Sequence, residues 1–458
     1  MSWAASTRQA ALAEPPTIDE VLSGQLGVEP IRRLLLQPAD LVPGALLRGC
    51  LPTAQPVHWH LLRSKFKPGR KLSAWYELTA PSAARPWRVA VTWQAGPAAP
   101  PADTTLRSLD AQACGRGLAA PFTRLWAGSP DNQTHLLLAP LDPAFPHLVR
   151  FYDPAYVAGL LDRVLGGWGT SGGFEVRPVR YRPGQRHVLL YTANAETGPT
   201  VFAKIYRDDT AARVRRLAGR LAEPVASGSR AQIARPLPAS PDHYAGVSLQ
   251  VAGRPLSQVL RDDPGSLPMA AVAGAALRAI HDIDPGLAAA ERGIADEVAS
   301  AMRACAHISG LLPTLGSRLR RLLDGVGERV QGLPAEAPAL THGDAKCDNL
   351  LVDRDRLTVI DLDRCGYADP ALDVGKLLAD LRWWCAGSGL DTAAVQAAFL
   401  TGYRGCNPAL LARARAYEVL FQVKIAGRRL GVDDPAWVHR VTAALGSAES
   451  LMARLPCP

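Results

Sequence analysis

The pattern of hydrophobic and polar positions changes near residue 255. Before that point, short apolar runs between Pro and Gly turns predict β-strands, with one helical segment at 153–166. After it, apolar residues recur at helical spacing, beginning with "LPMAAVAGAALRAIHDID", and strand character returns only at 350–352 and 357–362. Further helices are predicted at 295–331, 372–384, 391–404 and 408–430. The pattern therefore predicts an α+β fold that is β-rich at first and then mostly helical, with one embedded hairpin.

Two segments of the β-rich part resemble each other. They are "KFKPGRKLSAWYELTAPSAARPWRVAVTW" at 65–93 and "RYRPGQRHVLLYTANAETGPTVFAKIY" at 180–206. Each has a basic–aromatic–basic–Pro–Gly run, followed seven residues after the Gly by a tyrosine, Tyr76 or Tyr191. Each predicts a Pro-Gly turn, a strand, a polar turn and a second strand. We interpret the two segments as a duplicated β-unit, with chance similarity of two Arg-rich hairpins as the alternative.

The two copies differ at one chemically important position. When Pro86 is aligned with Pro199, Val91 falls opposite Lys204. The second copy therefore has a lysine where the first has an aliphatic side chain. A duplication in which only one copy retained the chemistry explains this difference.

Glycine- and proline-rich segments predict the boundaries of the units. "GPAAPPADTT" at 96–105 is predicted to be a loop inside the first unit, and "GGWGTSGG" at 166–173 a flexible boundary. We predict three domains. They are an N-terminal β-rich domain at 1–165, a second β-rich unit at 170–252 and a helical domain with the hairpin at 253–458.

Composition excludes several classes of protein. No segment approaches the roughly 18 uninterrupted apolar residues of a membrane span, and the first 20 residues lack the basic start and apolar core of a signal peptide. We therefore expect a cytoplasmic protein with no membrane partner. The eight cysteines are scattered without a C-x-x-C pair, so free buried thiols are expected rather than disulfides or a zinc site.

The net charge of +9 is unevenly distributed. Residues 1–252 contain 28 basic and 18 acidic residues, and residues 253–458 contain 23 and 24. The arginines are spread out without aromatic interleaving, which argues against a nucleic-acid partner and is compatible with phosphate-bearing small molecules. Lysine is rare, with 7 lysines against 44 arginines. A lysine in such a chain is expected where a compact, mobile ammonium group is needed.

The segment "THGDAKCDNLLVDRDRLTVIDLD" at 341–363 carries the candidate chemistry. The hairpin predicted within it would bring Asn349 and Asp361 together, with Asp344 close by. Asn349 and Asp361 offer the oxygen ligands that suit Mg²⁺. Asp344 would remain free to accept a proton from a hydroxyl, and Lys346 would supply positive charge, which together are the parts that phosphoryl transfer needs. A purely structural, polar-capped hairpin is the alternative.

The motif "HGDAKCDNLL…VIDLD" resembles the catalytic loop and metal-binding segment of the aminoglycoside phosphotransferase family, within the protein-kinase-like superfamily. The stretches "LRAIHDID" (277–284), "YADPALD" (367–373) and "FLTGYRG" (399–405) are similar to further recurrent pieces of that family, with Ala368 where Gly is common. The resemblance covers roughly 175–430. It implies a bilobal fold with a β-rich N-lobe and a helical C-lobe. The internal repeat leads us to interpret the preceding β-rich domain as a degenerate repeat of the N-lobe, unless the similarity arose by chance.

The resemblance also implies roles in the C-lobe. Asp344 corresponds to the catalytic base, and Asn349 and Asp361 correspond to the two metal ligands. Asp373 corresponds to an acid that braces the catalytic loop. Lys346, two residues after Asp344 as in many protein kinases, is expected to contact phosphate and is counted with the catalytic residues.

In the N-lobe the resemblance implies an ATP site. Lys204 in "TVFAKIY" is similar to the strand lysine that holds the α- and β-phosphates. The turn "RPGQRH" would cover the phosphates through Gly184, since no G-x-G-x-x-G is present. "SLQVAGRPL" at 248–256 looks like the hinge, where backbone around Gln250 and Val251 would contact adenine. Glu223 is the only acid in the helix that should supply a partner for the lysine.

These observations predict an ATP- and Mg²⁺-dependent phosphotransferase acting on a hydroxyl of a small molecule such as a sugar, aminosugar or aminoglycoside-like compound. A maltokinase-like sugar kinase with an N-terminal cap is a variant of this prediction. A non-catalytic pseudokinase that binds nucleotide is the rival, because the glycine fingerprint is absent and Glu223 stands next to Pro224. The sequence leaves the oligomeric state open.

Overall fold

The structure is a computed structural model that describes residues 15–53, 55–81, 85–96, 103–167, 173–194, 198–227, 230–238, 244–283 and 292–456. Most of the flexible boundary predicted at 166–173 lies outside these residues. Across the described ranges, no helix has both the length and the apolar character needed to cross a membrane. The domain ranges 1–165, 170–252 and 253–458 stay a prediction.

The N-terminal part contains short helices and a five-stranded antiparallel sheet. Its elements are α1 (Ile18–Ser23), α2 (Glu29–Leu36), α3 (Val42–Arg48), β1 (His58–Lys67), β2 (Lys71–Thr79), β3 (Trp87–Gln94), α4 (Asp103–Gly115), β4 (Trp126–Gly128) and β5 (Thr134–Leu138). The strand order is β1-β2-β3-β5-β4. The prediction of a loop at 96–105 is wrong from Asp103 onward. Helix α4 begins there because Leu106, Leu109 and Ala113 recur at helical spacing and are buried.

The second part repeats a β-rich arrangement. Its elements are α5 (Pro154–Leu165), β6 (Phe174–Arg182), β7 (Arg186–Ala193), β8 (Thr200–Ile205), α6 (Thr210–Ala226), β9 (Ala231–Ile233) and β10 (Ala245–Leu249). Four of these strands form an antiparallel sheet in the order β10-β8-β7-β6. Apolar residues alternate inward along β8, where Val201, Ala203 and Ile205 are fully buried.

The two sheets share one design. In each, the first hairpin turns through a glycine at positive φ, Gly69 at +66° and Gly184 at +74°. The buried Tyr76 and Tyr191 donate their hydroxyl protons to backbone carbonyls of the preceding helical segments, at 3.0 and 3.1 Å. Each third strand continues through a helix, α4 or α6, into an antiparallel strand, β5 or β10. The two units therefore match as a duplication predicts.

The pairing of the strands corrects the alignment of the two copies. Four residues after the turn glycine, the cross-strand partner is Lys204 in the second unit and Thr92 in the first. Val91, the predicted counterpart of Lys204, is off by one position and points into the core, fully buried. Each proline directly precedes its strand, but Thr92 lies six residues after Pro86 and Lys204 lies five residues after Pro199. Aligning the prolines therefore shifts the comparison by one residue, which moves a side chain to the other face. The first copy still lacks the lysine.

The C-terminal part is helical apart from short strands. Its elements are β11 (Arg254–Pro255), α7 (Leu256–Asp262), α8 (Pro268–His281), α9 (Ile294–Ala304), α10 (Ala306–Leu311), α11 (Pro313–Gly332), β12 (Ala339–Thr341), β13 (Leu350–Asp353), β14 (Arg356–Val359), β15 (Gly366–Ala368), α12 (Pro370–Cys385), α13 (Thr392–Tyr403), α14 (Pro408–Arg429) and α15 (Trp437–Ala453). The predicted helices are confirmed with small shifts of their ends, and the predicted strand 357–362 ends at Val359. Strand β9 pairs in parallel with β14, which joins the second sheet's unit to the helical part.

The N-terminal part contacts the helical part directly. Arg32 on α2 donates to the carbonyl oxygens of Val432 and Asp434, at 2.9 and 2.7 Å. Arg63 on β1 donates to the carbonyl oxygen of Arg428, the penultimate residue of α14, at 2.9 Å. The N-terminal sheet therefore bridges to the end of α14 as well as lying against the second β-unit.

Candidate active site

The embedded hairpin positions two of the predicted metal ligands. Asn349 lies just before β13 and Asp361 lies two residues after β14, and the Ile360 N–H donates to the Asn349 carbonyl at 3.0 Å. The Asn349 side chain is 4% exposed. Its amide nitrogen donates to the Asp344 carbonyl and carboxylate, at 3.0 and 3.3 Å. This arrangement leaves the Asn349 side-chain oxygen as an available ligand beside Asp361.

The loop that carries Asp344 is held by the buried helix α12. The carboxylate of Asp373 is completely buried and accepts the N–H groups of His342 and Gly343, at 2.5 and 2.9 Å. Further along the same helix, Asp380 accepts the N–H of Cys347 at 2.7 Å. Because charge-assisted hydrogen bonds to backbone donors are strong and directional, these two acids fix both ends of the loop. The predicted bracing role of Asp373 fits this geometry.

Gly343 and His342 fix the loop from the other side. Gly343 has a φ of +71°, and a Cβ at that position would collide with the carbonyl of Arg364. The His342 ring lies 3.0 Å from the Ile360 carbonyl, a hydrogen bond that ties the loop to the end of the hairpin. His342 is therefore placed to hold the loop rather than to exchange protons with a substrate.

Asp344 lies between two lysines. Lys346 donates to one carboxylate oxygen at 2.8 Å, and Lys376 on α12 donates to the other. Burial disfavours the charged carboxylate, but the two ammonium groups outweigh burial and hold the pKa of Asp344 far below its usual value. Asp344 is therefore ionised throughout the neutral range. Lys346 contacts Asp344 in this structure, so its role toward phosphate stays a prediction.

Asp361 and Asp363 form a pair of carboxylates that faces the sheet of the second β-unit. The Lys204 ammonium lies 2.7 Å from Asp361 and 3.2 Å from Asp363. Arg186 lies 2.7 Å from Asp363, and the Tyr206 hydroxyl donates to Asp363 at 2.8 Å. Burial raises the pKa of Asp361, but Lys204 and Arg186 lower it to about 2. The structure therefore brings the strand lysine to the predicted metal ligand, although the two lie far apart in sequence.

The donor set at this pair fits a hard divalent cation. Carboxylate and amide oxygens from Asp361 and Asn349 are the ligand types that Mg²⁺ takes, and Mg²⁺ needs only one or two protein ligands when phosphates complete its shell. Among the described residues, no group of three or more His, Cys, Asp or Glu side chains forms a larger metal centre. The ligand roles of Asn349 and Asp361 stay a prediction.

The prediction that Glu223 on helix α6 is the acidic partner of Lys204 is wrong. Glu223 is exposed and makes no ion pair in the described part of the chain. Helix α6 contributes Arg213 instead, which donates to the carbonyl oxygens of Cys365 and Asp363, at 2.9 and 2.5 Å. Helix and metal-binding segment are therefore joined through backbone carbonyls, and Lys204 takes its countercharge from the segment itself.

The turn predicted to cover the phosphates is anchored by an acid that sequence analysis missed. The Gly184 N–H donates to Asp142 at 2.7 Å, and the His187 ring contacts the same carboxylate at 2.7 Å. Asp142 is 1% exposed and lies in the segment between the two β-units. The backbone donor that Gly184 would offer a phosphate is therefore already engaged, and the role of Gly184 stays a prediction.

The predicted hinge connects β10 to β11. The Gln250 N–H donates to the Thr200 carbonyl at 2.8 Å, so Gln250 extends the edge of the sheet. Val251 and its neighbour line a cavity of about 460 Å³ whose other walls include Ala222 on α6 and Thr358 on β14. This cavity lies on the α6 side of the hinge, and Asp344, Asp361 and Asp363 are not among the residues that line it. Adenine contacts by Gln250 and Val251 stay a prediction.

One missed residue had a signal in the sequence. Lys376 belongs to the seven lysines of an arginine-rich chain, and the argument that singled out Lys204 and Lys346 applies to it as well. Its contact with Asp344 depends on the position of α12 relative to the loop. Nothing in the sequence marked Asp142 or Arg213, whose partners are backbone groups or lie in distant elements.

Comparison with known proteins bears on the whole site. A sequence model of the phosphotransferase enzyme family matches residues 181–417, which is more than half of the chain and includes Lys204, Asp344 and Asp361. No curated protein sequence gives a significant match.

Similar folds occur among solved structures. A choline/ethanolamine kinase family protein from Mesorhizobium loti is 18% identical with a TM-score of 0.45, over 65% of this chain and 94% of that one. A choline kinase from Cryptosporidium parvum is 13% identical with a TM-score of 0.47, over 66% and 97%. An aminoglycoside phosphotransferase from Streptomyces rimosus is 20% identical with a TM-score of 0.40, over 60% and 98%.

Proposed function

Because the chain belongs to the phosphotransferase enzyme family and has a protein-kinase-like bilobal fold preceded by a β-rich N-terminal region, we propose that it transfers the γ-phosphoryl group of ATP to a hydroxyl group of a small molecule. The observation that carries this proposal is the position of Asp344. It is ionised and lies on a loop fixed at both ends, and His342 and Asn349 tie that loop to the hairpin that ends beside Asp361, the partner of Lys204. A sugar or related polyol is the proposed acceptor.

Asp344 orients the acceptor hydroxyl and receives its proton. The hydroxyl oxygen forms a bond to the γ-phosphorus, the bond from that phosphorus to the bridging oxygen of ADP breaks, and the proton moves to the Asp344 carboxylate. The lowered pKa of Asp344 makes it a weak base. Because phosphoryl transfer passes through a loose transition state, little base strength is needed, and positioning contributes most of the acceleration.

The nucleotide would be held from the opposite side. Lys204 is placed to hold phosphate oxygens, and Asn349 and Asp361 would hold a Mg²⁺ ion through their oxygens. When bound, that ion neutralises charge on the β- and γ-phosphates. Arg186 and Lys204 already place two positive charges beside Asp361 and Asp363.

An activity assay tests the proposal. ADP release and phosphorylated product should be measured with ATP and Mg²⁺ over a panel of sugars, aminosugars and aminoglycosides, for the wild type and for Asp344→Asn. Loss of the base should lower kcat by about 10²- to 10⁴-fold. Asp355→Asn, an exposed carboxylate in the hairpin turn, is the control and should leave kcat unchanged.

The pseudokinase alternative has a specific observation in its favour. Asp142 engages the Gly184 N–H, and Lys204 is paired with two carboxylates rather than with a helix glutamate. Tight ATP binding without turnover on any acceptor would decide for it. Turnover that survives in Asp344→Asn would contradict the assignment of the base.

A further inference from the structure

Arginines from three parts of the chain lie close together where the N-terminal sheet meets the second β-unit and α14. Arg182 on β6 lies over the ring of Trp75, with its guanidinium carbon 5.5 Å from the ring centroid. Trp75 is the cross-strand neighbour of Arg63 on β1, and Arg63 in turn donates to the carbonyl of Arg428. Arg180 is two residues from Arg182 on the same face of β6. The N-terminal sheet, the phosphate-covering hairpin and α14 therefore meet at a cluster of guanidinium groups.

Carboxylates offset these guanidinium groups unevenly. Asp361 and Asp363 favour the charged form of Arg180, and Asp344 favours that of Arg428, whereas the charges that act on Arg63 and Arg182 are positive. In the part of the chain that the structure describes, Arg63, Arg180, Arg182 and Arg428 make no ion pair, whereas the adjacent Arg186 pairs with Asp363. Burial lowers the pKa of Arg182 to about 9, and the charges of Arg63 and Arg180 add to the effect. Like charges held close together destabilise the folded protein, and a bound anion would relieve that cost.

Positive charge also lies near Asp344, where the hydroxyl of the acceptor is expected to bind. Burial lowers the pKa of Arg428, the Asp344 carboxylate opposes that change, and Arg364 adds to it. Arg428 directly precedes Arg429, whose guanidinium lies 2.7 Å from Asp380, the acid that anchors the catalytic loop at Cys347. The nearby acid Glu297 is buried and paired with Lys424 at 2.5 Å.

The nucleotide does not account for the whole cluster. Its phosphates are expected at Lys204 and Arg186, which contact the metal-binding carboxylates. Arg63 and Arg428 belong to the N-terminal sheet and to the end of α14, neither of which contributes to the hinge or the strand lysine. Both side chains are exposed to solvent. They are placed for a second anion.

We propose that the acceptor is itself anionic, a hydroxyl compound with a phosphate or carboxylate group that Arg63 and Arg428 bind while the hydroxyl meets Asp344. This inference rests on the proposed function and narrows its acceptor class away from polycationic aminoglycosides. Arginine suits the task because its planar fork matches the oxygens of phosphates and carboxylates.

Binding of inorganic phosphate tests the anion site without knowledge of the acceptor. With the nucleotide site saturated by a non-hydrolysable ATP analogue and Mg²⁺, millimolar phosphate should raise the Tm of the wild type by stabilising the folded state. Arg63→Gln and Arg428→Gln should each weaken phosphate binding by roughly 10- to 100-fold. Arg70→Gln, on the exposed turn after β1, is the matched control and should bind phosphate as the wild type does. A wild type that does not respond to phosphate would overturn the inference.

Matched acceptors separate this inference from the proposed function. Glucose, glucose 6-phosphate, glucuronate and glucosamine should be compared by kcat/KM, and an anionic member should exceed the neutral and amino sugars by at least about tenfold. The phosphate and carboxylate arms show which anion is recognised. Transfer that favours glucosamine or glucose contradicts the anionic acceptor and leaves the kinase activity established. Nucleotide binding without transfer to any acceptor overturns the proposed function, and this inference with it.

Discussion

Lys376 and Asp344 form an ion pair beneath the catalytic loop. The ammonium of Lys376 donates to the carboxylate and lies 3.3 Å from the carbonyl oxygen of Gly343, and the lysine is 8% exposed. Asp344 is thus held by a helix on one side and by Lys346 of its own loop on the other. Its orientation and its pKa both depend on a residue remote in sequence.

Replacing that lysine should change the pH dependence of catalysis. In Lys376→Met the pKa of Asp344 should rise, because the nearer of its two countercharges is gone. The acid limb of the kcat/KM profile should therefore move to higher pH. Breaking a buried pair costs about 3 kcal/mol in the free energy of unfolding at pH 7, measurable by urea denaturation.

Lys346→Met is the comparison for this experiment. Its side chain is more exposed than that of Lys376, at 29% against 10%. Its loss should therefore cost less stability and shift the acid limb less. Equal pH profiles for the wild type and Lys376→Met would contradict the account of Asp344.

Acid stability should depend on Lys204. Lys204 and Arg186 lower the pKa of Asp361 to about 2, whereas an unfolded aspartate titrates near about 3.9. A carboxylate with a lowered pKa adds stability that is fully present above the unfolded pKa and is lost as the pH falls through the folded one. That contribution is about 2 kcal/mol and should disappear between about pH 4 and pH 2.

The variant Lys204→Met should reduce this acid-sensitive stability. The free energy of unfolding should be compared at pH 6 and pH 3 by denaturant titration, with Lys71→Met on the first sheet as the control. The difference between the two pH values should shrink in Lys204→Met and remain as in the wild type in Lys71→Met. An unchanged difference in Lys204→Met would show that its pairing with Asp361 does not persist in solution.

Nucleotide binding should depend on metal through Asp361. In the wild type, Mg²⁺ should strengthen ATP binding and EDTA should weaken it, as measured by calorimetry. In Asp361→Asn the metal dependence should largely vanish, because a neutral amide holds Mg²⁺ less well than a carboxylate. Residual metal-free binding should persist, since Lys204 and Arg186 then have one acid fewer to pair with. Wild-type Mg²⁺ dependence in this variant would reject Asp361 as a ligand.

The phosphate-covering turn should depend on Asp142. Asp142→Ala leaves the buried His187 ring and the Gly184 N–H without their acceptor. Removing a buried hydrogen-bonded acid costs about 2–3 kcal/mol, and the KM for ATP should change because the turn is released. Asp131, an exposed acid near β5, is the control. Asp131→Ala should lower the free energy of unfolding by only a fraction of this amount and should leave the KM for ATP unchanged. A normal KM for ATP in Asp142→Ala would separate the turn from nucleotide binding.

Local patterns predicted the parts of the site that local structure builds. Asn349 and Asp361 are joined by a short hairpin, so their spacing was enough to bring them together. Lys204 could be assigned because "TVFAKIY" resembles the family's lysine-bearing strand, and the comparison with the first β-unit, which has no lysine there, supported the assignment. The position of Val91 could not be settled in the same way, because proline spacing does not determine strand register.

The remaining parts of the site depend on long-range packing. Lys376 reaches Asp344 only because α12 runs under the loop, and Asp142 reaches Gly184 only because the linker between the β-units folds back on the hairpin. Glu223 was the only acid on its helix, yet it faces solvent. Helical periodicity predicts which face is apolar, but it does not predict which polar residue meets a distant carboxylate.

The hydrogen bonds that connect the parts of this protein are asymmetric. Arg32, Arg63 and Arg213 all direct their guanidinium groups at main-chain carbonyls of another element. A carbonyl acceptor is present whatever side chain its residue carries. Substitutions on the accepting side should therefore be tolerated, whereas substitution of the arginine removes the hydrogen bond. The robustness of the assembly to mutation thus differs between its two sides, and the arginine-rich, lysine-poor composition of the chain suits this arrangement, because one guanidinium group can serve several carbonyls at once.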